Sequence, residues 1–85
     1  MATIKDFYVQ TKTGAGTLNI PENNGFMVKH NSGGTGTVTV TNTSNGNAFT
    51  VQAGQVISLN FEFTMTAFDV AVVGAGSTVE VIYFK

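Results

Sequence analysis

The chain contains no cysteine, so neither a disulfide staple nor thiolate chemistry is open to it. Arginine is also missing, and with it the bidentate fork that grips phosphate or guanine. Four lysines against five carboxylates, a net charge of −1, leave no basic footprint, so no nucleic-acid partner is expected. His30 is the only histidine and the five acids are scattered, a poor supply of metal ligands, and no cofactor is expected. No apolar run approaches the ~20 residues of a membrane helix. The N-terminal MATIKDFYVQ has neither an apolar h-region nor a small-residue cleavage site. The expectation is a soluble protein without signal peptide or transmembrane segment, and without a membrane partner.

What stands in place of charge is neutral polarity. Thirteen threonines, eight asparagines, four serines and three glutamines face nine charged residues. Charge makes up 11% of the chain, where about 25% is ordinary. A hydrophobic share of 42% with low net charge excludes disorder. Eighty-five residues make a single domain, 1–85, with a small core. Such a domain, unstapled and with few charges to guard its strand edges, gains stability by associating with copies of itself.

Alternation organises the chain. In GQVISLNFEFTMT, Ile57, Leu59, Phe61, Phe63 and Met65 occupy every second position, and a strand sends all five to one face. Asn60 can break this long stretch into two strands. Earlier strands are expected at Thr3–Thr11 (inner side undefined), Thr17–Ile20 (ended by Pro21), Phe26–His30 and Thr37–Thr43, whose Val38 and Val40 face inward. Ala48–Gln52 follows with Phe49 and Val51 inward. Lys12–Gly16, NSGGTG at 31–36 and Gly74–Gly76 read as turns, and Asn24-Gly25 and Asn45-Gly46 as hairpin turns. The apolar phase flips at Ala67, where a bend or bulge would keep Phe68, Val70 and Val72 facing the same core. Val79, Val81 and Tyr83 line the last strand, opposite Ile82 and Phe84. The fold class is therefore all-β: a small antiparallel β-sandwich or jelly roll of seven to nine short strands, with a closed barrel as the second choice.

Catalytic patterns are weak. A triad of His30, Asp6 or Asp69 and a serine has no motif behind it, and His30 reads as a surface residue at a strand end. Glu62, Glu80 and Asp69 set no carboxylate separation for glycoside hydrolysis. The glycine pairs open no helix and so cradle no phosphate. Thr35, Thr37, Thr39, Thr41 and Thr43 form a ladder on one strand, narrower than the arrays of ice-binding proteins. A non-enzymatic role is expected.

VQAGQVISLNF and VAVVGAGSTVEVIYFK, in a cysteine-free chain rich in Thr, Asn and Gly, resemble the small all-β virion proteins of tailed bacteriophages. That resemblance implies a structural role in the virion, as capsid decoration, small fibre or spike. It implies a homo-oligomer, by analogy a trimer, whose other partner is a capsid or tail protein. The expected subunit interface comprises Ile4, Tyr8, Ile82 and Phe84, apolar groups from the two chain ends that lie off the obvious core face. The alternative is a carbohydrate-binding or adhesion module, with Tyr8, Phe68 or Tyr83 stacking on sugar rings beside Asn-rich loops.

Overall fold

The computed structural model describes residues 6–85, with the backbone alone for residues 60–63. Its eight strands are β1 (Phe7–Thr13), β2 (Gly16–Ile20), β3 (Asn23–His30), β4 (Thr37–Asn42), β5 (Ala48–Val51), β6 (Val56–Met65), β7 (Phe68–Val73) and β8 (Thr78–Phe84), with no helix among the described residues. They form two four-stranded antiparallel sheets, ordered β1-β8-β3-β6 and β2-β7-β4-β5. That pair of orders is the double Greek key of a jelly roll, and the expected antiparallel sandwich is present. Only β4 and β5 are consecutive in the chain and neighbours in a sheet. Every other connection passes from one sheet to the other.

This crossing explains the phase flip at Ala67. Thr66 and Ala67 carry the chain from β6 in the first sheet to β7 in the second. The inward parity resets because the facing partner changes, and no bulge at Ala67 is involved. The inner faces meet in one apolar layer: Phe26, Val28, Val79, Val81 and Tyr83 from the first sheet, Ile20, Val38, Val40, Val51, Phe68, Val70 and Val72 from the second. Phe26 and Phe68 meet across it with ring centroids 4.5 Å apart, tilted by 45°. Leu18, Ile57 and Met65 pack against this layer from its margins.

Leu59 and Phe49 are corrections. Leu59 pairs with buried Phe26, and Phe49 with buried Val40, so both face inward. Each nonetheless remains exposed, at 42% and 38%, because each lies on an outermost strand of its sheet, β6 or β5. The side chains of Phe61 and Phe63 lie outside the described residues. The β3–β6 ladder pairs Asn60 with Gly25 but Met65 with Asn23. Residues 61–64 thus stand opposite Asn24 alone, a break just past Asn60.

Two turns also differ. Asn24-Gly25 is no hairpin: it lies inside β3, where the Gly25 N–H donates to Asn23 Oδ1 at 3.2 Å. The first turn is only Gly14-Ala15, since Lys12 and Thr13 continue β1. Asn45-Gly46 does lie in a hairpin connection, but the five residues Thr43 to Asn47 separate β4 from β5 in place of a two-residue turn. Gly46 N donates to Asn42 O, and Asn42 N donates to Asn47 O, each at 2.8 Å. Gly46 alone in this loop has positive φ, +79°.

Replacing Gly46 by valine is expected to destabilise the protein by about 1–2 kcal/mol, because L side chains are strained in that region. Chemical denaturation should show a lower midpoint at unchanged slope. Truncating Phe68 to alanine is expected to cost about 3–5 kcal/mol, most of the stability of so small a domain. A Phe68→Ala protein as stable as the parent would show that the Phe26–Phe68 contact does not hold the sheets together.

Candidate functional site

The outer faces of the two sheets differ sharply. Strand register on the first sheet places Phe7 beside Phe84, and Val9 beside Ile82, which neighbours Met27 of β3 and then Ser58 of β6. Phe7 is 67% and Val9 48% exposed, while Met27, Ile82 and Phe84 are partly buried. One step along, Thr11, Glu80, Lys29 and Val56 form the next row, so the face grades from aromatic and aliphatic to charged. The second sheet presents Thr17, Asn19, Thr37, Thr39, Thr41 and Thr50, interrupted by Asp69, Ala71 and exposed Val73 of β7. Its threonines come from three strands, β2, β4 and β5, not from one.

Of the four residues expected at a subunit interface, Ile82 and Phe84 share this apolar outer face. Tyr8 does not. It pairs with Tyr83 on the inner side, stacked at 5.4 Å, with Lys85 Nζ 5.8 Å from its ring centroid. Phe7 and Val9 take its place, one residue out of phase. The mixed pattern of this strand concealed them, because a one-residue slip exchanges the two faces. Ile4 lies outside the described residues. The first and last strands do lie together, since β1 pairs with β8 and Lys85 N donates to Asp6 O at 3.1 Å.

His30 is not the surface residue that its place at a strand end suggests. It ends β3 but is buried, 2% exposed. Its Nδ1 lies 2.8 Å from Val51 O and its Nε2 2.7 Å from Ser77 Oγ. A carbonyl only accepts, so in the neutral ring Nδ1 carries the proton and Nε2 accepts from the serine hydroxyl. Ser77 Oγ in turn accepts from Gly36 N at 2.9 Å. Nucleophile and base are in contact here, with a backbone carbonyl as the orienting group. Yet both residues are buried, and a side chain at Gly34 would collide with His30 Nε2, Asn31 Oδ1 and Ser77 Oγ. The loops thus close over the pair and give a substrate no approach. Around it, Asn31 Oδ1 accepts from Thr78 N, Gly54 N donates to His30 O, and Gly14 N donates to Ser77 O. The cluster ties four loops into one cap.

A cleft of about 210 Å³ opens between the sheets at the β5 margin, lined by Val40, Asn42, Asn47, Ala48, Phe49, Met65 and Phe68. The lining is largely apolar. Phe68 and Tyr83 are core residues and cannot stack on a sugar. Among the described residues no group of three or more His, Asp or Glu is placed to hold a metal ion, and no helix is long and apolar enough to cross a membrane. No family model, curated protein or solved structure matches the chain.

Removing the Ser77 hydroxyl strands two partners, the buried His30 Nε2 and the partly buried Gly36 N–H. Ser77→Ala is expected to cost about 1–3 kcal/mol for each group left unsatisfied, read as a lower denaturation midpoint. A variant of unchanged stability would mean that the cap does not depend on this cluster.

Proposed function

We propose that this chain is a non-enzymatic structural protein that acts as a homo-oligomer in the virion of a tailed phage, as capsid decoration, small fibre or spike. The observation that carries the reading is the apolar outer face of the first sheet: Phe7, Val9, Met27, Ile82 and Phe84 set against a threonine-rich face on the other side. A sheet face of this composition asks for a cover, and a few hundred Å² at roughly 25 cal/mol per Å² is worth several kcal/mol per subunit. The jelly roll is an architecture of viral capsid domains, although lectins use it as well. Burial of Phe68 and Tyr83 removes two of the three aromatics that sugar binding would use and leaves exposed Tyr8 as the third. Other copies of the chain are the first partner, and a capsid or tail protein the second.

Light scattering at micromolar concentration tests this. The wild-type mass is expected to be a multiple of 8.9 kDa. Val9→Lys and Phe7→Lys are expected to weaken association at least ~tenfold, about 1.4 kcal/mol, with little loss of fold because both positions are exposed. A wild-type monomer at these concentrations would reject the reading.

A further inference from the structure

The four outermost strands are not guarded alike. β1 carries Lys12 and follows Asp6, β2 runs into Pro21 and Glu22, and β6 has the register break opposite Asn24. Each device, a charge, a proline or a broken ladder, discourages pairing at an open sheet edge. β5 has none of them. No charged residue occurs between residues 31 and 61, so β5, its flanks and the neighbouring β4 are neutral throughout. Its one protective feature is its length of four residues.

The free backbone groups of this edge can be assigned. Gly46 and Asn47 together oppose Asn42, with Asn42 N bonded to Asn47 O. Bonded and non-bonded pairs alternate along an antiparallel ladder. With Thr41 opposite Ala48, Val40 opposite Phe49 and Thr39 opposite Thr50, it is Phe49 that bonds β4. Ala48 and Thr50 therefore turn their N–H and C=O groups to the open edge. Phe49, left 38% exposed beside the apolar cleft, lies between them.

We infer that β5 is a second self-association site, pairing antiparallel with β5 of another copy about a two-fold axis through Thr50. In that register the two Thr50 residues exchange both backbone bonds. Phe49 of each copy stands beside Val51 of the other on the inner side, which covers the exposed ring and joins the two apolar layers. A second copy is the occupant because the edge is neutral, and the same strand supplies an equally neutral complement that repels nothing. The inference rests on the reading of the chain as a self-assembling protein and adds a contact distinct from the Phe7–Val9 face. With two separate contacts, assembly proceeds beyond a dimer.

The absence of cysteine makes the test direct. Across a bonded antiparallel pair the Cα atoms are roughly 5.5 Å apart, within the disulfide range of about 4.4–6.8 Å. Thr50→Cys is expected to form a disulfide dimer under mild oxidation, well ahead of Thr17→Cys, an exposed control on β2. In light scattering, Thr50→Lys is expected to reduce the assembled mass while far-UV circular dichroism stays native. Thr50→Pro, which removes an N–H facing the open edge, is expected to do the same. Combining Thr50→Lys with Val9→Lys is expected to leave monomer. Wild-type mass in both Thr50→Lys and Thr50→Pro, or no preferential cross-linking at residue 50, overturns the β5 contact. If the residue 50 variants lose mass and Val9→Lys does not, the β5 contact stands and the outer-face reading falls.

Discussion

Most of this structure depends on two apolar faces meeting in a layer only one pair of side chains deep. Phe26 against Phe68 is its centre, and valines from both sheets surround it. Sheets stacked this way lie about 10 Å apart, so each strand has room for one inward row and no more. That limit fixes which residues are left outside. Strands with apolar groups at both parities, β1 and β8, must present one set to solvent. The apolar outer face is the direct result, and the functional reading rests upon it.

Holding two sheets together through so thin a layer leaves their ends to be secured in another way. At one end, His30 spans from Val51 on β5 to Ser77 before β8, and the serine holds Gly36. Glycine backbone packs where any side chain would collide, at Gly34 and Gly76. Such a buried polar cluster is specific because every member is satisfied, and costly if one is lost. The imidazole serves as a bracket between loops, which accounts for a buried histidine in a chain with little sign of catalysis.

Alternation made much of the fold legible. Val38, Val40 and Val51 face inward as their spacing requires, as do Val79, Val81 and Tyr83, and the shared face of Phe26 and Val28 proves to be the inner one. Local pattern specifies side but not cover, and so Leu59 and Phe49 point inward yet stay exposed on outer strands. Nor does it reveal pairing between distant segments. Asn24-Gly25 has the composition of a turn, but it lies inside β3, where Gly25 and Asn23 each pair with β6. The outer-face site was half visible: Ile82 and Phe84 follow from the phase of β8, whereas Phe7 and Val9 required the register of β1. His30 carried no local sign of burial, because its partners lie 21 and 47 residues away.

The pairing of the first and last strands has a mechanical consequence. β1 and β8 are antiparallel neighbours, and Asp6 and Lys85 are joined by a backbone bond at the same pole of the sandwich. Tension applied between these two points does not shear the ladder, which would load its bonds together. It opens the ladder from one end, one bond at a time, and so meets little resistance. Pulled at Asp6 and Lys85 the domain unzips; gripped by its faces, it distributes the load across whole sheets. Load spread across the faces is therefore borne far better than load applied between Asp6 and Lys85.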